Sequence, residues 1–411
     1  MKKKIIVPLL LLLAVAVYFT AFHKDKDLLY IPDNADAVVL IDTKKLAGQY
    51  FFSWLTHPSE WSGNKTEPGG SGSLRDSGIR IPDFLQIFHM KDHKLSEWYS
   101  VLELNDPQRF IAFLKKQKFD DKGNNHFQKD QIFLSIDGNH CIAGTSDLAF
   151  EMIHQQLFQR GSRSARNAGE LIQNSVGSIS FVSGQKIHSF SIELRDDEMV
   201  IGDDSGPEVF QDIDSEIKKG NHFLQLELDR ENLRMLSRFF SKSMVDSSQA
   251  ISLKAAADLA QINDTIISYG YDDQFNEIEK KTFQKIIQPG YTIRIESRNA
   301  GKILDYFRSE KWINSENQFT AIPFQPNKIS QNNNSVVIQS ARNPIPLFPQ
   351  LKENYILIRN TPLLYSSLKT LSKAEKKIIS DIDYVLYRNR SGKSGIKIKA
   401  KKGELPLILR W

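Results

Sequence analysis

Residues 175–198 read SVGSISFVSGQKIHSFSIELRDDE, and residues 381–404 read DIDYVLYRNRSGKSGIKIKAKKGE. Both alternate apolar and polar side chains about a short polar turn, the period of two that marks a β-hairpin. At one constant offset Val176 meets Ile382, Ile179 meets Val385, Phe181 meets Tyr387 and Ile192 meets Ile398. Further blocks repeat in the same order. AVVLIDTKKL ends at Leu46 and FLQLELDRENL at Leu233, with Asp42 opposite Asp229. In each, an alternating strand runs into an Asp placed to cap the next helix. Residues 99–119 (YSVLELNDPQRFIAFLKKQKF) match residues 291–312 (YTIRIESRNAGKILDYFRSEKW), the first with Asp106-Pro107 as cap and first helical residue. CIAGTSDLAFEMI from Cys141 matches ILIRNTPLLYSSL from Ile356, each a short strand, a cap at Ser146 or Thr361, and a helix. A fainter block pairs Leu85 and Phe88 with Ile266 and Tyr269.

Ordered repetition of this kind predicts an α+β fold of two tandem diverged copies of a mostly antiparallel sheet-and-helix unit, following one N-terminal transmembrane helix. The expected boundaries are a cytoplasmic tail over 1–4, a membrane anchor over 5–22, ectodomain unit one over 28–205, a linker over 206–215 and unit two over 216–411. The linker region begins at the turn-rich Asp203-Asp204-Ser205-Gly206-Pro207. Unit one carries an inserted Gly-rich loop near 62–78; unit two carries extra residues near 275–289 and an Asn-rich tip at 332–334.

The anchor rests on Lys2, Lys3 and Lys4 followed by an uncharged run over 5–22. Such a run spans about 27 Å as a helix, close to the ~30 Å hydrocarbon core. Ala14-Val15-Ala16 offers a cleavage site, so secretion to the periplasm after signal cleavage is the alternative, but the apolar run continues through Val17, Tyr18 and Phe19. No Cys ends the run, which excludes a lipoprotein. The three lysines place the N-terminus in the cytoplasm and the ectodomain in the periplasm. Hydrophobic residues at 40% and charged residues at 25% of 411 belong to a folded chain. A net charge of +5 is too modest for a nucleic-acid binder. The single Cys141 excludes an intramolecular disulfide and a Cys-rich metal site, and its apolar neighbours mark it as a small buried hydrophobe.

The opening YIPDNADAVVLIDTKKL, directly after the hydrophobic segment, resembles a group of uncharacterised bacterial envelope proteins common in Bacteroidota-like genomes. The residues that carry the resemblance are Ile31, Pro32, Ala35, Val38, Val39 and Asp42. It implies an anchored envelope protein and brings no catalytic residues with it.

Motif chemistry is sparse, and no catalytic, cofactor or metal residue is singled out. His89 and His93 stand four apart without the glutamate of a zinc protease motif. Ser366-Ser367-Leu368-Lys369 matches S-x-x-K but lacks its S-D-N and K-T-G companions. Gly69 to Gly72 are not framed by a strand and a helix as a phosphate loop requires. Asp196-Asp197-Glu198 and Asp272-Asp273 lack calcium-loop spacing and fall at predicted turns. The one constellation that stands out is basic: Arg388, Arg390, Lys393, Lys397, Lys399, Lys401 and Lys402, with no acid among them. Alternation with Ile396, Ile398 and Ala400 predicts one apolar face and one row of ammonium groups. The row reads either as a surface for an anionic partner, lipid headgroup or polysaccharide, or as a solvated edge guarded by lysines.

The expected function is therefore a membrane-anchored cell-envelope protein whose ectodomain is a non-enzymatic binding or scaffold module, with no cofactor and other envelope proteins as partners. The alternatives are a carrier or chaperone for lipid-like or unfolded clients, or an enzyme whose site is assembled from residues distant in sequence.

Overall fold

A computed structural model describes residues 24–56, 77–159, 166–195, 197–203, 222–236, 242–322, 327–347, 353–367, 373–390 and 392–403, together with Phe210, Leu371 and Leu407. The expected tail over 1–4 and anchor over 5–22, the Gly-rich loop apart from Ser77 and Gly78 and, Phe210 apart, the expected linker lie outside the described residues. Among those described, no helix is long and apolar enough to cross a membrane. Contacts divide the chain into two compact units at Leu194 and Arg195.

Unit one contains β1 (Asp27–Leu28), β2 (Ala35–Asp42), α1 (Thr43–Thr56), β3 (Phe84–Met90), β4 (Trp98–Glu103) and α2 (Pro107–Lys116). It continues with β5 (Asp120–Gly123), β6 (His126–Lys129), β7 (Ile132–Asp137), β8 (His140–Gly144) and α3 (Phe150–His154). It closes with β9 (Arg166–Asn167), α4 (Ala168–Leu171), β10 (Gly177–Ser183) and β11 (Lys186–Leu194). Its main sheet runs β11-β10-β2-β3-β4-β8-β7-β6-β5, antiparallel throughout, and β1 pairs separately with β9. The local sequence explains the helix starts. Asp42 accepts from the Lys45 amide at 2.8 Å. Asp106 accepts from the Arg109 amide at 3.0 Å, with Pro107 at the first helical position, where no amide hydrogen is needed. The stripe of α2 buries Phe110 and Leu114 against Phe127, Leu134, Ile136 and Cys141. Burial pushes the Cys141 thiol up to about 12, so this cysteine is an inert hydrophobe.

Unit two contains β12 (Glu198–Gly202), β13 (Leu224–Asp229), α5 (Arg230–Met235), α6 (Lys242–Ser247), β14 (Ala250–Tyr271), β15 (Glu277–Ser297) and α7 (Ala300–Ser309). There follow β16 (Gln318–Phe319), β17 (Asn327–Asn332), β18 (Ser335–Ser340), β19 (Asn354–Arg359), α8 (Pro362–Ser367), α9 (Lys373–Asp381), β20 (Ile382–Arg390) and β21 (Lys393–Ala400). The order is β12-β21-β20-β19-β13-β14-β15-β18-β17-β16, again antiparallel. One face packs α5, α6 and α7 over Leu226, Leu228, Leu253, Ala255, Tyr291 and Ile295. A smaller cluster of Val200, Phe210, Tyr355, Leu357, Tyr384 and Leu386 forms elsewhere in the unit. Asp229 caps α5 through the Asn232 amide at 2.9 Å.

These observations correct the expected fold class. Strand accounts for 50% of the structure and helix for 21%, so the fold is mainly β rather than α+β tandem copies. The helices are short covers on the sheets; α5 and α6 have six residues each, against 22 and 21 in β14 and β15. The strand orders also differ. In unit one β10 pairs directly with β2, whereas in unit two β19 stands between β20 and β13. The block beginning at Cys141 therefore does not correspond to the one at Ile356: β8 lies between β4 and β7, a different place in the sheet. Strand-then-cap is a local pattern, and it carries no information about which strand lies alongside. Leu85 and Phe88 sit on β3 against β2, while Ile266 and Tyr269 sit on the outer part of β14, far along the strand from its pairing with β13.

Candidate functional site

The feature of unit two with no counterpart among the described residues of unit one is the outer reach of the hairpin β14–β15. Near its root it belongs to the sheet, with β13 pairing from Leu224↔Ala257 to Asp229↔Ser252 and β18 pairing from Thr292↔Gln339 to Glu296↔Ser335. Beyond these ladders the two strands pair with each other alone among the described strands, from Asp258↔Gly290 out to Tyr271↔Glu277. At roughly 3.3 Å per residue this is a two-stranded ribbon about 43 Å long. Its root is tied by Asp258, which accepts from the Phe223 amide at 2.9 Å and lies 2.7 Å from His222 Nδ1. Its tip is a closed turn: Asp272 accepts from the Gln274 and Asn276 amides, both at 2.8 Å, and from the Asn276 side chain at 3.1 Å. The Asn276 hydrogen bonds hold the Asp272 carboxyl below the ordinary range. The acidic pair at 272–273 is thus turn chemistry rather than a cation site.

Period two decides what the ribbon presents. Leu253, Ala255 and Ala257 point into the core, and the same face continues outward through Leu259, Gln261, Asn263, Thr265, Ile267, Tyr269 and Tyr271. Across the hairpin that face adds Phe283 opposite Thr265 and Ile287 opposite Gln261. The core-side apolar stripe therefore persists where the unit no longer covers it: Phe283 is 74% exposed, Tyr271 70% and Tyr269 68%. Phe275 at the tip is 86% exposed and holds a left-handed φ of 61°, a conformation that favours glycine. Gln261, Asn263 and Thr265 and the cross-strand Lys285, Lys281, Glu279 and Glu277 share this face, so it presents exposed apolar side chains framed by polar and charged ones. Exposed apolar groups of this kind mark an interaction surface, and a two-stranded hairpin is marginal in water without a partner.

The basic constellation is not brought onto one surface. Arg388 is 0% exposed and ion-paired with Glu353. Lys397 is 5% exposed, with its ammonium 5.0 Å from the centre of the Phe210 ring. Lys399 is half-buried, 3.7 Å from Glu198, and the Lys401 ammonium donates to the Ser380 carbonyl at 2.6 Å. Arg390, Lys393, Lys401 and Lys402 are exposed. The predicted ammonium row thus shares its face of β21 with the small apolar cluster, because Lys397 stands opposite Leu386 and Lys399 opposite Tyr384. β21 is also no free edge, since β12 pairs with it.

Other candidates resolve into structural roles. His89 Nδ1 lies 2.7 Å from Asp36 and Nε2 2.9 Å from the Lys94 carbonyl, while His93 Nδ1 lies 2.8 Å from Glu97. Burial opposes protonation of His89, but the Asp36 and Lys94 hydrogen bonds outweigh it and raise its pKa. Ser366 donates to the Leu363 carbonyl at 3.0 Å within its own helix; Lys369 lies outside the described residues. Among the described residues no group of His, Cys, Asp and Glu is placed to hold a metal ion.

Each unit has a concavity among its described residues. In unit one a cleft of about 140 Å³ lies beside Tyr30, Arg80, Asp83 and Glu103. The Tyr30 hydroxyl donates to Glu103, and Arg80 Nη1 lies 2.6 Å from the same carboxylate. The Tyr30 hydrogen bond, then the Arg80 charge, hold Glu103 below the ordinary range, which unsuits it for proton transfer near neutrality. In unit two a groove of about 590 Å³ is lined by Glu227, Lys254, Arg294 and Glu296 with Pro344 to Leu347. Its lysine lies 3.5 Å from Glu227. Its wall is mixed, the charged side chains sharing it with Leu253, Val337, Ile345 and Leu347. The ribbon left only a broken signal in the sequence: Tyr269 and Tyr271 alternate before Asp272-Asp273-Gln274-Phe275-Asn276, while Ile266-Ile267, Lys280-Lys281 and Ile286-Ile287 interrupt the period of two. No family model matches this chain, and no curated protein or solved structure matches it either.

Proposed function

We propose that this chain is a membrane-anchored cell-envelope protein whose ectodomain binds a partner protein without catalysing a reaction, and that the ribbon at 258–290 is its docking arm. The observation that carries the reading is the apolar stripe of the core face continuing, exposed, along the ribbon through Ile267, Phe283, Tyr269 and Tyr271. Amphipathic, aromatic-rich surfaces supply contact area at low entropic cost, and aromatic anchors dominate binding energy at protein interfaces. A ribbon also offers backbone groups along its edges for strand addition.

The test is photo-crosslinking in intact cells with a photoreactive phenylalanine at Tyr269 or Phe283, and at the exposed Ile132 of unit one as control. A discrete adduct of higher mass from the ribbon positions and none from Ile132 is the expected result. Ribbon positions that give no adduct would overturn the docking role. The location is tested by fractionation: the chain is expected to stay with membranes after carbonate extraction and to leave them in detergent.

A further inference from the structure

We infer that the occupant of the docking arm is a second copy of this chain, paired edge to edge through residues 261–271 of β14. The inference rests on the reading of the ribbon as a docking arm and names its partner. Three observations carry it. The first is continuity of the edge. β13 occupies one side of β14 up to Ala257, and β15 occupies the other side along its whole length. Past Ala257 the β13 side of β14 continues without a strand among the described residues. A strand arriving there extends a ladder that already exists.

The second observation is the difference between the two outer edges. Over 277–289 the β15 edge carries Glu277, Glu279, Lys280, Lys281, Lys285 and Pro289. Charges, lysine above all, and a proline lacking an amide hydrogen are the devices that blunt strand addition. Over 261–271 β14 carries a single charge, Asp264, among Ile262, Thr265, Ile266, Ile267, Tyr269 and Tyr271. One edge carries these devices and the other does not, although α8 approaches β14.

The third is that the β14 edge is complementary to itself. In an antiparallel register centred on Ile266, this isoleucine faces the same residue of the second copy. Asp264 then faces Ser268, Thr265 faces Ile267, Asn263 faces Tyr269 and Ile262 faces Gly270. No two charges oppose one another, the carboxylate meets a hydroxyl, and the lysines stay on the outer β15 edges. The product is a four-stranded antiparallel sheet, past the two-stranded limit at which hairpins are marginal. A two-fold axis at Ile266 makes the contact isologous, so it closes at two copies.

The experiment uses the full chain in its membrane. Ile266→Cys, treated with a mild oxidant, is expected to give a disulfide-linked dimer, because the two sulfurs face each other at the axis. Ile262→Cys faces Gly270 and is expected to remain monomeric; Cys141 is buried and does not contribute. Ile266→Lys sets two ammonium groups at the axis and is expected to lower the crosslinked dimer fraction at least tenfold. Thr282→Lys, the cross-strand neighbour of Ile266 on the protected edge, is expected to leave it unchanged. Equal dimer yields from Ile262→Cys and Ile266→Cys would overturn the pairing. A photo-adduct from Tyr269 whose mass is that of a different protein would overturn the second copy while leaving the docking arm in place. An absence of any adduct would remove both.

Discussion

Replacing residues 261–287 by Asn-Gly removes the outer ribbon and closes the hairpin on Ala260 and Gln288, which already pair across it. Asn-Gly is the preferred two-residue hairpin turn, so the remaining strands keep their register. None of the excised residues is fully buried; Ile262, Ile278, Ile286 and Ile287 are the half-buried aliphatics among them. At ~25 cal/mol per Å² a half-buried isoleucine contributes about 1 kcal/mol. Cross-strand pairing and the ordering entropy of the excised residues nearly cancel, since a two-stranded hairpin on its own is only marginally stable in water. The net change in stability of unit two is expected to stay within about 1 kcal/mol. Leu228→Ala, at a position that is 0% exposed, is expected to cost about 2–5 kcal/mol by contrast. Urea titration read through hydrogen-exchange protection of the 253–257 amides measures both. The excised protein is expected to keep its midpoint and lose its photo-adducts. A drop as large as that of Leu228→Ala would show the ribbon to be part of the core, and the reasoning from exposure would fail.

Phe275→Gly relieves a left-handed φ of 61° at the tip and is expected to stabilise the turn by roughly 1 kcal/mol, seen as slower exchange of the Asn276 amide. Slower exchange together with weaker partner crosslinking would show that the tip gives up local stability for contact. Arg388→Ala is expected to destabilise by about 3–5 kcal/mol, since it strands Glu353, whereas the double replacement Arg388→Met with Glu353→Leu, which removes both charges, is expected to be near neutral. Chemical denaturation separates the two, and equal losses would refute a paired, buried guanidinium. The raised pKa of His89 means that the folded state binds its proton more tightly than the unfolded chain. Its contribution is fully present below the unfolded value of about 6.5 and is lost as pH rises through the folded pKa. Stability is therefore expected to fall with rising pH above about 6.5, and His89→Gln to flatten that slope; a stability rising through this range because of His89 would contradict the Asp36 contact.

Local chemistry was legible in the sequence where one residue acts on its neighbours. Asp106-Pro107 and Asp229 cap the helices they precede, and the alternation at 177–194 is a hairpin. Sheet neighbours were not legible. The strands at Cys141 and Ile356 share a pattern because each runs from a sheet into a capped turn, yet only one of them enters beside the strand that precedes α2. For the basic strand the period was readable and the face was not. Phe210, which covers Lys397, is remote in sequence and arrives through a tertiary contact that alternation cannot encode. The ribbon showed in part, as extra residues near 275–289, but its reach along β14 was hidden by a pattern that looks the same inside a sheet and beyond it.

Between Ser252↔Glu296 and Tyr271↔Glu277 the hairpin keeps one register without a bulge. This regularity limits how the arm changes length over evolutionary time. Inserting one residue pair midway along the shank rotates everything beyond it to the opposite face and sends the Tyr269 and Tyr271 rings to the wrong side. Inserting two pairs restores the phase. Arms in descendants of this gene are thus expected to differ by multiples of four residues, lengthening in steps of roughly 6.6 Å. The pleat acts as a ruler with discrete graduations, and chains whose arms differ by an odd pair would no longer recognise each other's edge.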